Sequence, residues 1–313
     1  MKITVLIENT SQNPSILSEH GLSLYIETEN HKLLSDCGCT DAVLKNAVTL
    51  GIDLTEVDSV FLSHGHYDHS GGILPFAEQN PNALIYMQQT ALLPYYHKSP
   101  LEERYIGINS EIAKLPQLRL LSGDIMIDKE LSVFTNVTGR TLWPKGNLEL
   151  KKKMETSKNV MEKIEDMFVQ DEFDHEQYLV ITESLDSSIT DNNNTFHANR
   201  PLQNSFLQAQ NNIHSKKVLI SGCAHNGILN ILEHYHSLYT AYPDAVISGF
   251  HMRKKTDYTQ EDVATIKETA KRLSTLPTKF YTGHCTGEYP FALMKEIMGK
   301  QLIYAHSGDS ILF

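Results

Sequence analysis

The chain has 313 residues, 41% hydrophobic and 21% charged, ordinary for a soluble globular protein and long enough for a sizeable core. Its formal charge of −11, from 27 basic against 38 acidic residues, disfavours a non-specific nucleic-acid surface and favours small-molecule chemistry, while a local basic patch stays open. Four scattered cysteines exclude a secreted disulfide framework, and the lack of a signal-like start or a membrane-length apolar run sets the expectation of a cytoplasmic protein without a membrane partner.

Lys2 to Glu8 is apolar and β-branched and reads as a strand. Leu22 to Glu27 alternates, and His31 to Ser35 resumes a strand after a turn at Glu29-Asn30. Cys37-Gly38-Cys39 follows, with a spacing that is not CxxC. It is read as small residues in a tight turn, with a thiol pair as the alternative. A helix is expected from Asp41, as N-cap, through Leu44, Ala47 and Val48 to a stop at Gly51, and a strand at Ser59 to Leu62.

That strand runs into His64-Gly65-His66-Tyr67-Asp68-His69-Ser70-Gly71-Gly72, which puts four potential ligands into six consecutive residues, His64 to His69. Imidazole and carboxylate together suit Zn, Fe or Mn better than Ca or Mg. Gly65 and Gly71-Gly72 allow the tight backbone that folds these side chains onto a common point at a strand's C-terminal end. His64 and His66 can face one ion together, whereas the adjacent Asp68 and His69 point differently and serve a second. In such a pair a bridging water is acidified to a pKa of roughly 7, which yields hydroxide at neutral pH.

Beyond the cluster, Ile73 to Glu78 looks helical and Ala83 to Met87 is a strand, so the first part alternates as a layered α/β protein does. Leu93 to Asn109, with Tyr95, Tyr96, His97, Arg104 and Tyr105, has no clean period and is read as an inserted loop or short helix, a candidate substrate lid. Lys151 to Asp174 is charged and partly helical in pattern. Ser187 to Asn212 is polar and loop-like. Strand-then-turn segments return at Lys217 to Gly227, with a helix at Ile228 to Tyr239, at Ala245 to His251 and at Lys279 to Gly287. Each delivers a histidine after its strand, as the first cluster does, and α/β sheets collect function at strand C-termini. Trp143 is read as a packing residue or pocket wall, and Asp309 as a turn residue before a last strand, Ser310 to Phe313.

His64-x-His66-x-Asp68-His69 with later single histidines after short strands resembles the metallo-β-lactamase fold superfamily over most of the chain. More closely, Glu19-His20-Gly21-Leu22-Ser23, Ser63 to Gly72, Ser221 to Ile231, Ser248-Gly249-Phe250-His251 and Thr282 to Gly287 resemble the subgroup of 7,8-dihydropterin-6-methyl-4-(β-D-ribofuranosyl)aminobenzene-5'-phosphate synthase-like proteins. The resemblance implies an α/β fold, an αββα sandwich of two facing mixed sheets flanked by helices. It implies one domain over 1–313, with inserted loop or helical segments near 93–120 and 151–212. It also implies that His64 and His66 bind one metal, Asp68 and His69 the other, and His225 and His284 serve as the later ligands. Where the superfamily supplies a bridging Asp, this chain offers Ser221-Gly222-Cys223, so either Cys223 is a thiolate ligand or the bridge is missing. His251 is then a ligand or, by preference, a substrate-facing acid. His20, on a loop that overhangs the metals in this fold, is a substrate contact or a plain surface histidine, and Cys285 and Thr286 beside His284 are further substrate-contact candidates.

The leading expectation is a metal-dependent hydrolase with two divalent ions, Zn before Mn or Fe, in which metal-bound hydroxide attacks a small-molecule ester, phosphoester or lactone. Asp68 orients the nucleophile and His251 protonates the leaving group. A phosphorylated pterin-related substrate follows from the resemblance alone, since no Walker-type glycine loop supports it. An iron-dependent redox enzyme with the same ligands, or a non-catalytic small-molecule sensor, are the alternatives. A homo-oligomer is left open.

Overall fold

The computed structural model describes residues 1–154, 167–184 and 215–313. In chain order its strands are β1 (Lys2–Ile7), β2 (Ser23–Glu27), β3 (Lys32–Ser35), β4 (Ser59–Phe61), β5 (Leu84–Gln88), β6 (Tyr95–Lys98), β7 (Glu103–Tyr105), β8 (Leu118–Leu121) and β9 (Ile125–Met126). They continue as β10 (Leu131–Phe134), β11 (Leu150–Met154), β12 (Met167–Gln170), β13 (Tyr178–Ser184), β14 (Ser215–Ile220), β15 (Ala245–Ile247), β16 (Lys279–Thr282), β17 (Leu302–Tyr304) and β18 (Ser310–Leu312). The helices are α1 (Ala42–Thr49), α2 (Tyr67–Ser70), α3 (Ile73–Gln79), α4 (Ile228–Tyr239), α5 (Gln260–Ser274) and α6 (Glu288–Met298).

Two seven-stranded mixed sheets face each other, in the orders β18-β1-β2-β3-β4-β5-β8 and β17-β16-β15-β14-β13-β10-β9. The period of two along each strand makes the layers. Val5, Leu24, Ile26, Leu179, Ile181, Val218, Ile220 and Ile247 point between the sheets into one shared core. Their strand neighbours Tyr178, Val180, Leu219 and Val246 point outward, where Ile231, Tyr235, Ile266, Ala270 and Met294 of α4, α5 and α6 cover them. On the other sheet Leu34 and Val60 meet Val43 of α1 and Phe76 of α3. The result is the expected αββα sandwich. Among the described residues no helix is long and apolar enough to cross a membrane.

Several segments differ from the sequence expectation. Leu93 to Asn109 is neither loop nor short helix. It contains β6 and β7, which join β11 and β12 in a separate four-stranded antiparallel sheet of order β12-β11-β6-β7. Leu118 to Leu121, placed within an insertion, is β8 at the edge of the first sheet. Within Lys151 to Asp174, Lys151 to Met154 and Met167 to Gln170 are strands rather than helix, paired in a sheet whose lysines reach solvent, and Asp171 to Asp174 is loop and turn. Ser187 to Asn212 lies outside the described residues. Asp41 begins α1 without capping it, its carboxylate meeting Lys45 Nζ at 2.8 Å instead. Helix α5 went unread, although Thr259 and Asp262 form a capping box at its start.

Candidate metal centre

Strands β3, β4 and β5 are mutually parallel, as are β14 to β17, and the loops after β4, β14, β15 and β16 meet at one edge of the sandwich. At Gly71 and Gly222 glycine is needed for space rather than for backbone freedom. Gly71 has an ordinary helical φ of −62°, yet a Cβ on it would lie 1.9 Å from the Cys39 carbonyl oxygen. Cys37-Gly38-Cys39 is thus the turn against which the histidine loop closes, and its thiols are free, Cys37 fully buried. A Cβ on Gly222 would fall 2.1 Å from Ser63 Oγ, so this glycine lets the β14 loop reach the β4 loop.

Four imidazoles are held in one manner. His69 Nδ1 lies 2.7 Å from Asp36 Oδ2, and His64 Nδ1 lies 2.8 Å from Ser63 Oγ, whose hydroxyl donates to the same Asp36 oxygen at 2.8 Å. His225 Nδ1 lies 2.9 Å from Asn147 Oδ1, and Asn147 Nδ2 donates to the His225 carbonyl at 2.7 Å. Asn9 treats His284 identically, with 2.9 Å to Nδ1 and 3.2 Å to the carbonyl. Each Nδ1–H therefore has an oxygen acceptor, which turns the Nε2 lone pair inward.

The inward atoms form two groups. His64, His66 and His225 bring ring nitrogens within 4.8 Å of one another, with His64 and His225 Nε2 at 3.3 Å. Asp68 Oδ2 lies 3.8 Å from His69 Nε2 and 3.5 Å from His284 Nε2, while those two nitrogens are 3.2 Å apart. A tetrahedral ion with bonds near 2.0–2.1 Å separates its ligands by about 3.3–3.4 Å, so these spacings fit a first-row divalent ion. Cys223 Sγ lies 3.2 Å from His69 Nε2 and within 4.8 Å of donor atoms of His64, His225 and His284, between the two groups. His66 Nε2 is buried with no hydrogen-bond partner. Converging lone pairs and an orphaned donor atom are what a cation site requires.

Electrostatics agree at three of the rings. Burial drives the His64 and His225 pKa values well below the ordinary value and lowers His66 to about 3, so these rings are neutral, as ligands must be. Burial also opposes charge on His69, but Asp36 and Asp68 outweigh it and raise its pKa to about 9. Burial pushes Asp68 upward, and His69, His284 and His20 more than reverse that, holding it well below the carboxylate range. Burial raises the Cys223 thiol well above its usual value.

Beneath three of the loops, those after β4, β14 and β16, lies a buried acid that sequence reasoning missed. Asp36 Oδ1 accepts the Ser63 N–H at 2.7 Å. Glu176 accepts those of His225 at 2.7 Å and Asn226 at 2.9 Å, and Glu8 accepts that of His284 at 2.5 Å. Under Gly65 the acceptor is His175 Nδ1 at 2.9 Å, and His175 Nε2 is tied to Asp171 Oδ2 at 3.1 Å. These carboxylates are fully buried or nearly so.

The remaining candidates divide. His251 stands beside His225, ring centroids 4.1 Å apart, with Nδ1 buried and unpartnered and its backbone in the left-handed region at φ 48°. His20 projects over the centre, its Nε2 3.3 Å from Asp68 Oδ2 and its ring stacked on His284 at 5.1 Å. Burial lowers its pKa to about 4. Cys285, with His20 and His251, lines a cavity of about 110 Å³ over the centre. Thr286, expected to contact substrate, is fully buried. Its Oγ1 accepts the Phe250 N–H at 2.8 Å and pairs with Thr282 Oγ1 at 2.6 Å, so it ties two loops together. Trp143 lines a neighbouring cavity alongside His251.

A family model, described as the metallo-beta-lactamase superfamily, matches residues 19–281. An uncharacterized protein of Methanocaldococcus jannaschii, MJ0448, is 25% identical, covering 99% of this chain and 99% of its own. From the same organism, 7,8-dihydropterin-6-methyl-4-(beta-D-ribofuranosyl)-aminobenzene-5'-phosphate synthase is 24% identical over 100% of this chain and 97% of its own. Among solved structures, Tm1679, described as a metal-dependent hydrolase of the beta-lactamase superfamily, superposes with TM-score 0.72 at 26% identity, covering 100% of this chain and 99% of that one. The metallo-beta-lactamase fold protein YhfI from Bacillus subtilis, at 14% identity and TM-score 0.51 with 99% and 98% covered, shares the fold.

Proposed function

The chain belongs to the metallo-beta-lactamase superfamily, and from that premise we propose that it hydrolyses a small-molecule ester, phosphoester or lactone at a centre of two divalent ions. Zinc is the first choice for a donor set of imidazoles, one carboxylate and a thiolate. A phosphorylated pterin-related compound is one candidate substrate, on the strength of the 24%-identical synthase.

In this reading His64, His66 and His225 hold one ion, and Asp68, His69 and His284 the other, with Cys223 between them. Bound there, the ions acidify water and polarise the group under attack. The chain's own residues do the rest. Asn9, Asn147, Ser63 and Asp36 fix the tautomers so that Nε2 faces the centre. Asp68, whose Oδ2 lies 3.3 Å from His20 Nε2, stays ionised and orients the attacking oxygen. His251, whose unpartnered Nδ1 and ring border the cavity, protonates the leaving group.

The single observation that carries the reading is the convergence of Nε2 lone pairs whose Nδ1 partners are all engaged. His66→Ala and Asp68→Ala are expected to retain the far-UV circular dichroism of the parent and to lose turnover of aryl esters and phosphodiesters by about a thousandfold or more. Full turnover in chelator-treated protein would overturn hydrolysis at a metal centre. Bound iron with a visible absorption band and no hydrolysis would move the assignment to redox chemistry.

A further inference from the structure

The four-stranded sheet carries one row of side chains toward the metal centre. Leu150 of β11 pairs with His97 of β6, and His97 pairs with Arg104 of β7. Residues directly opposite in antiparallel strands share a face, and all three line the cavity that holds Asp68, His66 and Cys223. The next row, Tyr96 opposite Tyr105, takes the other face, where Tyr96 and Phe168 pack edge to face at 5.2 Å.

Among the residues lining this cavity, Arg104 is the one with a permanent positive charge. Its guanidinium lies 5.3 Å from the ring centroid of Tyr67, the residue after His66, and its Nε lies 3.1 Å from Glu102. Both members of that ion pair are about 42–43% exposed, so the pair contributes little to stability. Glu102 engages the Nε edge and does not itself line the cavity. In a protein of net charge −11, a guanidinium aimed into a site whose one lining carboxylate is a candidate metal ligand selects for an anion.

We propose that Arg104 binds an oxyanion, carboxylate or phosphate, carried by the substrate away from the group that is attacked, which makes the four-stranded sheet the specificity element of the enzyme. The proposal rests on the hydrolase reading for its kinetic test but not for its binding test.

The kinetic test compares 4-nitrophenyl hemisuccinate with 4-nitrophenyl butyrate on metal-loaded wild type, Arg104→Met and Arg104→Lys. The ratio of kcat/KM between the anionic and the neutral ester is expected to fall about tenfold or more in Arg104→Met, with partial recovery in Arg104→Lys. An unchanged ratio overturns the proposal. The binding test titrates succinate, 3-phosphonopropionate and butyrate into the same proteins by calorimetry. Wild type is expected to prefer the two ligands with a second anionic group and Arg104→Met to lose that preference, while the stronger of the two tells carboxylate from phosphonate recognition. No preference in wild type, or one that survives Arg104→Met, sinks the idea. Wild type that hydrolyses neither ester yet shows an Arg104-dependent preference retains this site and removes carboxylic-ester hydrolysis from the proposed function.

Discussion

His31 and His69 both join the two sheets, at opposite ends of the sandwich. His31, in the β2–β3 turn, reaches Asp58 with Nδ1 at 3.2 Å and Asp128, in the β9–β10 turn of the other sheet, with Nε2 at 2.7 Å. Hydrogen bonds to Asp128 and Asp58 raise its pKa to about 10. His69 has one carboxylate, Asp36, on Nδ1, while its Nε2 faces His284 Nε2 and Cys223 Sγ. Both rings attract a proton, but their surroundings differ. At His31 each nitrogen has its own acceptor, so the proton completes a structural clasp. At His69 the second nitrogen meets His284 Nε2 and Cys223 Sγ at 3.2 Å and Asp68 Oδ2 only at 3.8 Å, a convergence of possible ligand atoms rather than a pair of acceptors.

The sharpest way to break that comparison is to remove a ring from each end. His64→Ala is expected to lose bound metal, measured by elemental analysis, and turnover by about a thousandfold or more. His31→Gln is expected to keep its full metal complement. Metal loss from the second variant would mean that the two ends are not separate. Chelation comes next. Ions bound at a thousand times their Kd stabilise the fold by about 4 kcal/mol per site, so removing them should lower the Tm of the parent by about 10 °C or more, and that of His64→Ala by much less. Equal drops in both would mean that the ions sit elsewhere. Smaller effects belong to the residues behind the rings. Asn9→Ala and Asn147→Ala free an Nδ1–H each and should weaken metal binding about 10–100-fold in a competition titration. A loss of a factor of two or less would mean that these amides do not set the tautomers.

The same contrast explains what the sequence revealed. The histidine loops were legible because each follows an apolar β-branched run and because His64 to His69 crowds ligand types that packing does not require. Asn9, Asn147, Glu8 and Glu176 were not. Each is a lone polar residue whose partner lies tens or hundreds of positions away, such as Glu8 against His284, and no local pattern marks it. The added sheet was misread for another reason. Lys151, Lys152 and Lys153 look like a solvated helix face, whereas here they are a surface strand whose apolar contribution is Leu150. Helix α5 did carry a signal, since Ile266, Thr269, Ala270 and Leu273 are buried at helical spacing.

The smallest predicted effect tests the clasp alone. The folded pKa of His31, about 10, lies above its unfolded value near 6.5, so protonation favours the native state. The contribution is fully present below pH 6.5, erodes as pH rises and is gone above about 10. His31 is half-buried and its partners are partly exposed, so solvent screening reduces the effect to about 1 kcal/mol. Urea unfolding of the chelator-treated parent should therefore show stability falling between pH 6.5 and 9.5, with His31→Gln less stable at pH 6 and its deficit shrinking toward pH 9.5. Chelation matters here because metal affinity also rises as ligands deprotonate, which would add stability with pH and mask the slope. A deficit that stays constant across this range would mean that His31 acts through packing, and that the comparison with His69 should rest on shape rather than charge.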